Sequence, residues 1–119
     1  MGDLSKNFSR SEFECSCGCG YDQIQLALVE SLQKVRDNFG PMTINSGCRC
    51  GPHNRSVSGS PQSSHLRGLA VDIRSANSLS RFNLIRSLLT VGFKRIGIGR
   101  EFIHVDQDLS KPQSLIWLY

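Results

Sequence analysis

The sequence predicts an α+β domain, a small antiparallel sheet with helices packed on one face. Three observations lead there. Residues 24–39 and Ser78–Val91 repeat apolar side chains at intervals of three and four, the spacing of amphipathic helices. Residues 69–73 alternate apolar and polar side chains, as a strand with two unlike faces does. Residues 95–99 and Phe102–Asp106 are two short apolar runs around a tight turn at Gly99-Arg100, the pattern of a hairpin. At 119 residues the chain can bury one core and not two, so residues 1–119 read as a single domain without repeat or linker.

In chain order, Ser9 and Glu12 form the S-x-x-E of a capping box, with Phe8 as the apolar residue before the cap. They predict a short helix through Glu14, followed by the glycine-rich knot CSCGCGYD. The first long helix carries Leu28, Leu32, Val35 and Phe39, widened by Leu26 and Val29, and Gly40-Pro41 ends it. Residues 42–45 read as a short strand. A long loop follows, SGCRCGPHNRSVSGSPQSSH, with one helical turn over residues 52–57. A loop of that length in a small domain is usually functional, and this one runs into His65. In the strand at 69–73, Leu69, Val71 and Ile73 take one face, and Ala70 and Asp72 the other. The second helix presents Phe82, Ile85, Leu88 and Leu89 and stops at Gly92. The tail SLIWLY predicts a last strand.

Composition narrows the function classes. An apolar fraction of 39% and a charged fraction of 20% are those of a globular protein, which excludes a disordered or fibrous chain. No apolar run approaches the roughly 20 residues of a membrane span, so no stable membrane insertion is expected. The polar start MGDLSKNFSR lacks the apolar core of a signal peptide. A net charge of +4 favours solubility or an anionic partner such as a cell wall. The basic residues are scattered and no aromatic residues interleave them, so nucleic acid is not the expected partner. Five cysteines fall in two groups, Cys15, Cys17 and Cys19 as C-x-C-x-C, and Cys48 and Cys50 as C-x-C. Reduced thiols, one disulfide between the groups, or a structural zinc site drawing on both are the alternatives.

Two histidines and an aspartate, His65, Asp72 and His104, make a three-ligand zinc set. Imidazole nitrogen and carboxylate oxygen suit Zn2+, and three protein ligands leave a fourth position for water. Two neutral imidazoles and one carboxylate leave net positive charge on the metal, which lowers the pKa of that water. Asp106 shares the His104 face at period two and either sits beside the metal or orients its ligand. Glu101, three residues before His104, is the other acid within reach of proton transfer. His53 satisfies backbone groups of its own loop.

SSHLRGLAVDI fits S-x-H-x2-G-x-A-x-D, and together with FIHVD it resembles the zinc peptidases of the D-alanyl-D-alanine carboxypeptidase family, the M15 peptidases. SEFECSCGCG and SGCRCGPHN resemble the small phage and bacterial members, so the likeness covers most of the chain. It implies the fold shared with the hedgehog signalling domain and cleavage of peptidoglycan stem peptides. The cut is either the D-alanyl-D-alanine bond, as in a carboxypeptidase, or the L-alanyl-D-glutamate bond, as in a phage endolysin. His65, Asp72 and His104 match the family's zinc ligands. Arg49 matches the arginine that binds a substrate carboxylate, with Ser63 of the motif as a second substrate-binding residue. Glu101 stands where several members have their catalytic carboxylate, and Asp106 is the alternative, because small members often lack that acid while keeping H-x-D. Position 48, usually aromatic in the family, is Cys48, which implies a changed pocket wall or a bond to the N-terminal cysteines. The expected protein is a monomer that waits in the host cytoplasm before release to the wall or travels on the virion. The rival reading is a catalytically inactive, zinc-containing wall-binding module.

Overall fold

The computed structural model describes residues 2–119. Its elements are α1 (Leu26–Phe39), β1 (Ile44–Ser46), α2 (Gly51–Ser56), β2 (Ala70–Arg74), α3 (Ser78–Val91), β3 (Arg95–Ile98), β4 (Phe102–Asp106) and β5 (Leu115–Leu118), with single turns of 3-10 helix at Arg10–Phe13 and Ser64–Arg67. The expected α+β class holds. One sheet of five strands runs in the order β1-β2-β4-β3-β5.

The sheet is not wholly antiparallel, because β5 lies parallel to β3. The hairpin explains this. β4 ends where β3 begins, so a chain that turns back at that end and passes β3 must enter the next strand in β3's own direction.

Helices α1 and α3 pack against each other. Leu28, Leu32 and Val35 of α1 and Leu84 and Leu88 of α3 share one core with Val71, Ile73, Ile96, Ile103 and Val105 of the sheet. That core occupies a single face of the sheet, and alternation turns the intervening residues to the other. Leu26, Phe82 and Leu89 depart from the expected stripes and are exposed. In α3 the spacing of four that meets α1 is Leu84 and Leu88, and Phe82 instead lies under the Arg86 guanidinium, 5.9 Å from its ring. The capping box forms, with the Ser9 N–H donating to the Glu12 carboxylate at 2.7 Å, but it caps a 3-10 turn. That turn seats Phe13 in the core, where its carbonyl accepts from the Cys48 N–H at 2.8 Å. Cys48 itself is a free thiol buried in the core. It neither lines the cleft described below nor bonds to the N-terminal cysteines.

Candidate active site

The sheet face turned away from the helices carries a row of residues in register. Asp72 of β2 stands opposite His104 of β4, His104 opposite Gly97 of β3, and Gly97 beside Trp117 of β5. Phe102, Asp106 and Arg95 share this face by alternation.

His65 reaches the row from the 3-10 turn that leads into β2. The Ser63 hydroxyl caps this turn by accepting from the His65 N–H at 3.3 Å. Gly68 ends it at φ +67°, and a Cβ there would collide with the Gln23 carbonyl. Both the left-handed backbone and the close approach demand glycine. Gly68→Ala is expected to cost more than about 2 kcal/mol and lower the thermal midpoint by on the order of 10 °C, measured by scanning calorimetry.

The His65 Nδ1 lies 2.7 Å from the Gly47 carbonyl oxygen. A carbonyl can only accept, so Nδ1 carries a proton, and Nε2 is the ring nitrogen turned toward Asp72 and open to a metal. That Nε2 is 3.4 Å from the Asp72 Oδ1, and the His104 Nδ1 is 3.0 Å from the same oxygen. Donor atoms of His65, Asp72 and His104 all lie within 4.8 Å of one another, so the three can hold one metal ion. The far side of His104 is fixed as well. Its Nε2 lies 2.8 Å from the Asp106 Oδ2, which orients the ring with Nδ1 toward Asp72.

The charges reinforce one another. Burial would raise the Asp72 pKa, but hydrogen bonds from His104 and His65 outweigh it and hold the carboxyl well below its ordinary value. Burial would lower the His104 pKa, but its bonds to Asp106 and Asp72 outweigh that and raise it. Without metal, both ring nitrogens of His104 face carboxylate oxygens, an arrangement that favours its protonated form. Asp106 is depressed in turn, because His104, the Asp108 N–H and Arg95 outweigh its burial. Its Oδ1 accepts from the Arg95 Nε at 2.8 Å and from the Asp108 N–H at 3.1 Å, so both carboxylate oxygens are engaged.

Above this floor is a cleft of about 460 Å³. Arg49 lines one side. Its backbone N–H donates to the His65 carbonyl at 3.1 Å and its Nη1 to the Asn54 Oδ1 at 3.0 Å, while its Nε is buried with no partner among the described residues. Lys111, also in the lining, donates to the Ser64 hydroxyl at 2.9 Å. Trp117 and Tyr119 form the opposite wall, their ring centroids 5.5 and 6.2 Å from that of His104. Gly97 makes room for them, since a Cβ there would stand 2.6 Å from the Tyr119 ring and 2.7 Å from that of Trp117. Arg95 braces the wall with its guanidinium 4.9 Å from the Trp117 ring.

The structure thus brings together His65, Asp72, His104, Asp106, Arg49 and Ser63. It does not bring Glu101. That residue is exposed in the turn before β4 and does not line the cleft. The reason is spacing, for Phe102, His104 and Asp106 face the cleft at period two, and a residue three before His104 is out of phase with them. His53 is held elsewhere, its Nε2 3.2 Å from the Ser16 hydroxyl. Sequence reasoning missed Trp117, Tyr119 and Arg95. The alternation of SLIWLY, which places Trp117 and Tyr119 two apart, was the available signal for the first two.

An α+β sheet with a histidine–aspartate cluster at the floor of an open cleft has the makings of a hydrolase. Residues 6–106 match the family described as Peptidase M15, and the chain belongs to that family. It is therefore a peptidase, and its substrate is a peptide. No curated protein matches the sequence. Among the described residues no helix is long and apolar enough to cross a membrane.

Proposed function

We propose that this peptidase is zinc-dependent and hydrolyses stem-peptide bonds of peptidoglycan, as a D-alanyl-D-alanine carboxypeptidase or an L-alanyl-D-glutamate endopeptidase. The observation that carries the reading is the convergence of two imidazoles and one carboxylate, within 4.8 Å, at the floor of an open cleft. The donor set fits zinc. The Gly47 carbonyl sets the tautomer of His65 so that Nε2 can bind metal, and three protein ligands are the count of a catalytic site, whereas a structural site is normally closed by four. Zinc held there supplies Lewis-acid polarisation of a carbonyl and of water near neutral pH.

The chain's own residues divide the remaining work. Asp106 fixes the His104 ring and Gly47 fixes that of His65. Arg49, whose Nε has no partner among the described residues, takes a substrate carboxylate in its planar fork, and Lys111, 3.7 Å from Asp108, lies beside Ser64 at the cleft's edge. Trp117 and Tyr119 cover the side of His104 and limit water around the scissile bond. A net charge of +4 suits a monomer that meets the anionic wall after release from a host cytoplasm or delivery on a virion.

Digestion of purified peptidoglycan followed by mass spectrometry tests this. Free D-alanine or a shortened stem peptide is expected, lost on chelation and restored by zinc. Zinc-loaded protein that binds the wall and leaves every stem bond intact would overturn the proposal and make the domain a wall-binding module.

A further inference from the structure

Away from the cleft, Cys15, Cys17, Cys19 and Cys50 bring four sulfurs within 4.8 Å of one another. Cys15 and Cys17 are 3.5 Å apart, Cys17 and Cys50 3.5 Å, and Cys15 and Cys50 3.8 Å. We propose that these four cysteines form a closed, structural zinc site.

The geometry points to a shared ion. Four thiolates at the usual zinc–sulfur distance of about 2.3 Å stand about 3.8 Å apart along each edge of a tetrahedron. The three sulfurs above form a nearly equilateral triangle of that size. Two disulfides could pair all four, but the three sulfur–sulfur distances above are far longer than the roughly 2.05 Å of a disulfide bond and suit a shared ion. The fifth cysteine, Cys48, is buried in the core and outside the group, which accounts for the odd count.

The backbone is arranged around the sulfurs. The Cys50 N–H donates to the Cys15 sulfur at 3.4 Å, the His53 N–H to the Cys50 sulfur at 3.4 Å, and the Tyr21 N–H to the Cys19 sulfur at 3.5 Å. These N–H groups converge on the sulfurs as the outer hydrogen-bond partners of a metal's ligands do. Gly18 and Gly20, at φ +83° and +90°, let the short segment curl so that alternate residues point to one centre. The Cys15 N–H closes that loop on the Tyr21 carbonyl at 2.8 Å.

The site would tie residues 15–19 to the segment that begins α2. Cys50 is the cap of α2 and directly follows Arg49, so an ion there anchors the base of the cleft's arginine arm. Binding replaces each thiol proton, released to solvent, by a zinc–sulfur bond. Four protein ligands leave no position for substrate or water, which makes the site structural.

The test separates this site from the cleft. His65→Ala, which removes a cleft ligand, should still retain one tightly held zinc per chain by elemental analysis. Loaded instead with cobalt, that variant should show thiolate-to-cobalt charge-transfer absorption. Cys17→Ser combined with Cys50→Ser should lose this ion. Where that double variant fails to fold, titrating the intact His65→Ala protein with a mercurial should release zinc in step with thiol modification. The proposal is overturned if His65→Ala holds no zinc, if iron occupies the site, if bound cobalt lacks the sulfur absorption, or if the unreduced chain has lost hydrogen pairs to disulfides.

Discussion

Replacing Asp72 by asparagine is expected to empty the cleft of metal and reduce peptide hydrolysis to background, with the chain still folded. Asp72 is the member of the cluster that both imidazoles face, at 3.4 Å from the His65 Nε2 and 3.0 Å from the His104 Nδ1. An amide keeps the shape and removes the charge. Metal affinity should fall by more than the roughly 10²-fold that loss of a group merely orienting a ligand costs. The same substitution changes the pH response of the metal-free chain. With the native carboxylate the folded pKa of His104 is raised, so its contribution to stability is complete below about pH 6.5 and is lost as pH rises through the raised value. The folded pKa of Asp72 is depressed, so its contribution is present above about pH 3.9 and is lost as pH falls through the depressed value. The metal-free native chain should therefore be most stable between those limits, and Asp72→Asn should flatten that maximum in urea titrations. Metal affinity runs the other way. Zinc must displace the Nδ1 proton, so affinity should drop about tenfold for each pH unit below the His104 pKa, as measured against a competing chelator.

Much of this site was legible because it rests on local periodicity. Alternation alone puts Asp72 opposite the apolar side of its strand, and period two alone puts Asp106 on the face of His104. What escaped depends on pairings that no local window contains. Trp117 faces the cleft because β5 registers Gly97 against it, and the direction of β5 follows from where β4 ends. Phe82 and Leu89 continue an apolar stripe in the sequence, yet only the position of α1 decides which part of that stripe is buried. Glu101 was proposed from its place three residues before His104 as well as from family likeness, and the phase of the extended chain leaves it exposed and outside the cleft lining. The cysteine groups were ambiguous because C-x-C is not a usual zinc spacing. The two glycines at positive φ, which make that spacing workable, are visible in the sequence only as residue type.

Asp106→Asn and Glu101→Gln are expected to differ sharply, and the contrast decides between the two acids. Glu101 is exposed outside the cleft, so its amide variant should keep zinc, stability and turnover within about twofold, as an exposed surface change does. Asp106 is 2% exposed and bridges two sides, with His104 on one oxygen and Arg95 together with the Asp108 N–H on the other. Its amide can accept from only one of them and turns an N–H toward the other. The buried Arg95 then loses its countercharge, at a cost of roughly 3 kcal/mol, and the thermal midpoint should fall by about 10 °C. The freed His104 ring should cost zinc affinity by about 10- to 100-fold. Saturating zinc supplies the missing test of role. If Asp106 only positions His104, activity should largely return once the cleft is refilled with metal. A turnover loss that persists at full zinc occupancy would make Asp106 the proton carrier itself. A variant Glu101→Gln that keeps its metal and loses turnover would instead bring the turn to the cleft when substrate binds.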